Sequence, residues 1–168
     1  MIFHHSADSI LTRLGAEHLD LFHGKRFLVT GACGFLGQWV CEVLRRSAMQ
    51  EAILVDRVDA TAKFADDPRF TFIQGDISSL GAWAGNKLDY VISLAGIASP
   101  KLYRKEPIAC IDVNVNGCRK ALQLAQEQGA RIIHMSSSEV IGDAEVVPTP
   151  EYYIARINTR SVRSSYDL

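Results

Sequence analysis

The stretch FLVTGACGFLGQWVCEVL constrains the fold more than any other part of this 168-residue chain. A short apolar run ends at Thr30, glycines follow at Gly31, Gly34 and Gly37, and apolar residues then recur at helical spacing. A run that is apolar at every position reads as a strand buried on both faces, and the pattern after the glycines reads as a helix. Each glycine has a separate physical task. Gly31 permits a tight turn, Gly34 lets the backbone approach a pyrophosphate, and Gly37 lets helix and strand pack closely. The helix N-terminus offers unpaired N–H groups and a partial positive charge to the phosphates. The spacing G-x-x-G-x-x-G is a weak signal alone. A strand before it, a helix after it and an acid at the end of the next strand make it a dinucleotide-binding fingerprint.

That acid is Asp56, which closes the apolar run AILVD 19 positions after Gly37. A carboxylate there can accept both ribose hydroxyls of an adenosine and repels a 2′-phosphate, so the expected cofactor is NAD rather than NADP. Arg57 follows directly and can pair with a phosphate, which leaves the preference open at that point. Asp76 and Ile77, after the run FTFIQ, are placed to meet the adenine edge. An aspartate in that setting equally well caps a turn.

Further runs continue the alternation. KRFLVTG, AILVD, FTFIQGD, LDYVISLAG and ARIIHMSSS read as five buried strands. SSLGAWAG reads as a short helical connection, and PIACIDVNVNGCRKALQLAQEQG as a long helix stopped by Gly129. Such alternation predicts an α/β fold, a Rossmann-type doubly wound parallel sheet with helices on both faces. Three regions are expected: an N-terminal extension of one or two short helices over 1–24, a dinucleotide-binding domain over 25–142, and a loop with the start of a further helix over 143–168.

The composition is that of an ordinary globular chain, with 48% apolar residues, 22% charged residues and a net charge of −1. No basic stripe points to nucleic acid or to an anionic membrane surface, and no window approaches a membrane span. The cysteines Cys33, Cys41, Cys110 and Cys118 form no C-x-x-C pair, so no metal site is expected. The N-terminus lacks the pattern of a signal peptide, and a cytoplasmic protein with free thiols is expected.

Several motifs in order carry a family resemblance. TGACGFLG resembles the T-G-x-x-G-x-x-G loop of the extended short-chain dehydrogenases/reductases, the NAD-dependent epimerases, dehydratases and decarboxylases of nucleotide sugars. DYVISLAGIASP resembles their fourth-strand segment, with Ser93 where histidine is common. DVNVNG resembles their N-x-x-G turn, MSSSEVIGD their S-[ST]-x-E-V-Y-G segment with Ile141 replacing the usual tyrosine, and RSSYD the opening of their Y-x-x-x-K helix. The match runs from Lys25 to Asp167 and looks most like the UDP-glucuronate decarboxylase and dTDP-glucose dehydratase branches.

The resemblance implies oxidation at a sugar carbon, usually C4, by hydride transfer to NAD. It adds Cys33, Phe35, Leu36, Leu94, Ala95, Gly96 and Asn114 to the cofactor site. Tyr166 matches the base that takes the hydroxyl proton, a task that requires a tyrosine pKa well below the usual value of about 10. Ser137 matches the residue that hydrogen-bonds the reacting hydroxyl, and Glu139 the acid used near C5 by dehydratases and decarboxylases. Ser99, Tyr103, Ser138 and Arg163 match positions on the substrate side. Outside this context a Ser-Ser-Ser run is often only a loop and a helix cap, and a lone tyrosine or glutamate a surface residue.

The family's lysine would stand at position 170, beyond Leu168. The expectation is therefore the N-terminal part of a homodimeric nucleotide-sugar enzyme, inactive alone. Two rivals stand beside it: a non-catalytic NAD-binding pseudoenzyme or scaffold, and an atypical reductase of the same fold with a non-sugar substrate.

Overall fold

The computed structural model describes residues 2–167, and side chains from Ala7 to Asp167. Five parallel strands, β1 (Arg26–Thr30), β2 (Glu51–Asp56), β3 (Phe70–Gln74), β4 (Tyr90–Ser93) and β5 (Arg131–His134), form one sheet in the order β3-β2-β1-β4-β5. All five match the apolar runs of the sequence, but β5 is not the buried strand expected: Arg131, Ile133 and His134 are exposed because β5 is an edge strand. Successive strands step outward from β1 to β3, and the chain then crosses back to set β4 on the other side of β1. Thr30 pairs with Val55 on one side and Ser93 on the other, so a crevice opens beyond the strand ends where the winding reverses.

The central strand shows why the middle of the sheet is buried on both faces. Phe27 and Val29 pack into one core cluster with Cys41, Leu44 and Leu54, while Leu28 packs into the other with Val91, Ala121 and Leu124. Adjacent side chains point to opposite faces, so a strand with helices on both sides must be apolar at every position. Each fully buried Leu, Val or Phe contributes about 1.5–3 kcal/mol.

Helix α1 (Ile2–Asp20) precedes the sheet and is broken at Gly15, whose φ is 74°. Helix α2 (Phe35–Arg46) buries Gly37, Cys41 and Leu44, one face of a helix at i, i+4 and i+7. Short helices α3 (Thr61–Phe64), α4 (Pro100–Lys105) and α5 (Pro107–Ile111) follow. Helical geometry continues from α5 through a π-helical segment, Asp112–Gly117, into α6 (Cys118–Gln128). Gly129 ends this run with φ 61°, and the Ala130 N–H returns to the Ala125 carbonyl at 2.8 Å, the C-terminal closure that a left-handed glycine allows.

Two expectations change. SSLGAWAG is not a helix: a 3₁₀ turn covers Ile77–Ser79, and Gly81 and Gly85 follow in irregular chain. Glycine loses the most backbone freedom in a helix, which disfavours extension of that turn. The predicted single long helix contains the π segment, which its apolar spacing does not reveal. From Asp143 the chain is irregular until α7 (Ser164–Asp167), apart from a bridge between Gly142 and Arg156. Among the described residues no helix is long and apolar enough to cross a membrane, and no cluster of His, Cys, Asp or Glu could hold a metal ion.

Candidate active site

The glycine loop forms one wall of a cavity of about 460 Å³ beyond the ends of β1, β2 and β4. Gly31, Cys33 and Gly34 line it from the loop, Asp56 and Arg57 from the end of β2, and Asp76 and Ile77 from the turn after β3. Leu94, Ala95 and Gly96, just after β4, form its floor. A second cavity of about 250 Å³ shares those three floor residues and adds Leu36, Asn114, Ser137 and Tyr166. The two cavities therefore adjoin along the sheet edge and are together called the cleft.

The glycines are required by contact. A Cβ on Gly31, whose φ is 69°, would lie 2.8 Å from the backbone nitrogen of Ala95. One on Gly37 would fall on the Gly31 carbonyl oxygen and 2.8 Å from the backbone carbonyl carbon of Ala32. Gly37 itself is buried beneath the loop. Phe35 lines neither cavity, and the residue is 73% exposed. Its backbone N–H belongs to the first turn of α2. No side chain caps that turn at Gly34, so its N–H groups remain available to an anion.

Asp56 is held in place from two sides. Its Oδ2 accepts the Cys33 N–H at 2.9 Å and its Oδ1 accepts the Val58 N–H at 3.0 Å. Each oxygen retains a lone pair for a further donor. Asp76 does cap its turn: Oδ1 accepts both the N–H and the hydroxyl of Ser78, at 2.9 and 2.8 Å. It lines the cavity as well. Burial first, and the Asp56 carboxylate second, push the Cys33 thiol up to about 11. At neutral pH Cys33 is thus an uncharged wall of the cleft and not a nucleophile.

These residues fit a dinucleotide. Gly34, at the start of α2, and the anchored carboxylate of Asp56 both line the cavity, and the glycines leave the loop without side chains where phosphates would approach.

On the second cavity, Ser137 and Tyr166 come together although 29 positions separate them. Ser137 opens a 3₁₀ turn, Ser138–Ile141, and its Oγ accepts the Glu139 N–H at 3.3 Å. Tyr166 stacks on Tyr103 with ring centroids 5.2 Å apart and planes 11° from parallel. Tyr103 is buried, so it backs Tyr166 and does not line the cavity. Ser99 caps α4 through its backbone, and Ser99 and Ser138 lie outside both cavities. Glu139 and Arg163 also lie outside them and pair with each other at 2.9 Å. Asn114 sits in the π segment, and its Nδ2 donates to Cys110 Sγ at 3.4 Å. A π turn carries an extra residue, which shifts the register of the side chains that follow and recurs at functional sites.

Three contributors were not singled out in the sequence. Thr30 is fully buried, and its Oγ1 accepts the N–H groups of Leu94 and Ala95, both at 3.2 Å, tying the floor of the cleft to β1. His134 lines the second cavity, with Nδ1 3.2 Å from Ser93 Oγ. Gln38 donates to the Cys33 carbonyl at 2.8 Å and accepts from Lys63 at 2.6 Å, bracing the glycine loop. The threonine before Gly31 was a legible signal; the other two pairings span 41 and 25 positions and have none. Replacing Thr30 with valine keeps the shape and removes the acceptor. It is expected to destabilise the chain by about 1–3 kcal/mol in urea unfolding, because the Ala95 N–H loses its acceptor while the Leu94 N–H keeps the Thr30 carbonyl at 3.2 Å.

The model of the NAD dependent epimerase/dehydratase family matches residues 27–167. The chain belongs to that family. It is 35% identical over 147 residues to UDP-glucuronic acid decarboxylase 5 of Arabidopsis thaliana, covering 84% of this chain and 42% of the relative. Among solved structures it resembles the dTDP-glucose 4,6-dehydratase DesIV of Streptomyces venezuelae, determined with NAD and TYD bound, at 28% identity and a TM-score of 0.68. That likeness covers 84% of this chain and 47% of the dehydratase. A UDP-galactose 4-epimerase structure is similar at 30% identity and a TM-score of 0.68, over 84% of this chain and 46% of the epimerase. The chain thus spans less than half the length of the relatives it matches.

Proposed function

We propose that this chain binds NAD along the C-terminal edge of its sheet and supplies the hydroxyl-activating side of a nucleotide-sugar active site. The observation that carries this reading is the shared floor. Leu94, Ala95 and Gly96 join the cavity of the glycine loop and Asp56 to the cavity of Ser137 and Tyr166. A dinucleotide laid across that floor has its adenosine end at Asp56 and its reactive end at the tyrosine.

In this reading the N–H groups at the start of α2 hold the pyrophosphate, and Asp56 holds the ribose hydroxyls. Ser137 orients a sugar hydroxyl by hydrogen bonding, and Tyr166 receives its proton. Bound NAD supplies the hydride acceptor. Tyr103 fixes the plane of the Tyr166 ring by stacking. The acid Glu139 and the run RSSYD favour a decarboxylase or dehydratase over a simple C4 epimerase, and the likeness to UDP-glucuronic acid decarboxylases supports a nucleoside-diphosphate uronate as substrate.

Calorimetric titration tests the cofactor half of the reading. One NAD per chain is expected, with NADP bound at least about tenfold more weakly because its 2′-phosphate meets Asp56. Equal or tighter binding of NADP, or no binding of either, would overturn it.

A further inference from the structure

Directly after Tyr166 stands Asp167, the last residue of α7, and it lines the second cavity. The residue is 3% exposed, and its Oδ1 is buried with no hydrogen-bond partner. Buried polar atoms are normally paired, and leaving one unpaired costs stability. An orphaned carboxyl oxygen on a residue that lines a cavity has room for its partner in that cavity.

The walls do not supply the partner. Among the described residues that line this cavity there is no lysine or arginine. Asn114 Nδ2 is engaged with Cys110 Sγ at 3.4 Å, and His134 Nδ1 lies 3.2 Å from Ser93 Oγ. An ionised carboxyl group only accepts hydrogen bonds, so what it lacks is a donor. An anionic group entering here would meet a carboxyl with no lysine or arginine to offset it. A hydroxyl group brings the missing hydrogen and no charge. In the reading above Asp56 does the same work at the other end of the shared floor. There two backbone N–H groups already donate to the carboxylate, whereas Asp167 Oδ1 has no donor at all.

We propose that Asp167 is a second hydroxyl-binding carboxylate of the cleft, accepting a hydroxyl group of the ligand seated beside Tyr166. That hydroxyl belongs either to the second ribose of the dinucleotide or to the sugar. This inference rests on the dinucleotide reading above.

Calorimetric titration of Asp167→Leu and Asp167→Asn beside the unmodified protein tests it. The probes are ADP, NAD and, on the NAD-loaded protein, UDP-glucose. Leucine keeps the approximate shape and removes both acceptors; asparagine keeps one acceptor and is expected to give a smaller loss in the same direction. ADP lacks the second ribose and reports on the rest of the dinucleotide site. With the ribose as donor, Asp167→Leu is expected to weaken NAD about tenfold and to leave ADP within about twofold. With the sugar as donor, ADP and NAD are expected to hold while UDP-glucose weakens about tenfold. Urea unfolding without ligand gives an independent sign. Because Oδ1 is unpaired in the free protein, Asp167→Asn is expected to unfold at the same or a higher urea concentration. A merely structural carboxyl would lower that midpoint and weaken ADP and NAD alike. Either of those results, or unchanged affinity for both NAD and UDP-glucose, overturns the assignment alone. An unmodified protein that binds neither ADP nor NAD overturns the dinucleotide reading, and the assignment with it.

Discussion

Replacing Gly37 with alanine is expected to weaken NAD binding about a hundredfold and to lower stability by about 3 kcal/mol. The added methyl group has nowhere to go. It would fall on the Gly31 carbonyl oxygen and lie 2.8 Å from both the carbonyl carbon and the Cα of Ala32. Those are backbone atoms, so relief requires the loop itself to move off α2. Moving the loop displaces the Cys33 N–H from Asp56 and misdirects the first-turn N–H groups of α2. Two charge-assisted hydrogen bonds lost to a phosphate suffice for the affinity change, at about 1.5–3 kcal/mol each. Gly81→Ala is the matched control: a Cβ there has nothing within 4 Å and the stability change should stay within about 0.5 kcal/mol. Urea unfolding and NAD titration of the two variants check the contrast. Equal midpoints would mean that the loop and helix do not pack as described.

The second large effect is at Asp56. Its replacement by alanine is expected to reduce NAD affinity by about 30- to 100-fold while changing NADP affinity far less. The carboxylate accepts the N–H groups of Cys33 and Val58 at 2.9 and 3.0 Å, and Asp56 lines the cavity. Alanine removes the ribose acceptor and leaves two backbone donors without a partner. For NADP the loss of these contacts is offset by the end of repulsion between the carboxylate and the 2′-phosphate, and Arg57 remains alongside. The ratio of the two dissociation constants, measured by calorimetry on one preparation, is therefore the decisive quantity. A uniform loss for both nucleotides would show that Asp56 only holds the loop and does not read the ribose.

The residues of these two predictions differ in how openly the sequence displayed them. Gly31, Gly34, Gly37 and Asp56 stand in one short strand–loop–helix–strand unit, where each position follows from local geometry. The five strands were equally plain, because a central parallel strand such as β1 must be apolar at Phe27, Leu28 and Val29 to be covered on both faces. Ser137, Tyr166, Glu139 and Arg163 were legible only through the order of several motifs. Their arrangement was not legible at all. Nothing local distinguishes Tyr103 as the partner of Tyr166 from Tyr103 as a residue lining the cleft. Nothing local indicates that Glu139 faces Arg163.

The boundary between the two kinds of knowledge lies where contacts become distant along the chain. Periodicity, glycine placement and capping act over a few residues, so the amino-acid sequence alone determined the class of sheet, the glycine loop and the acid that closes β2. The Thr30 bond to the β4 end, the brace from Gln38 to Lys63, the stacking of Tyr103 on Tyr166 and the Glu139–Arg163 pair join residues 24 to 65 positions apart. Only the packed sheet with its crossovers brings such groups within contact distance, and only there does the side-chain chemistry of the cleft become definite.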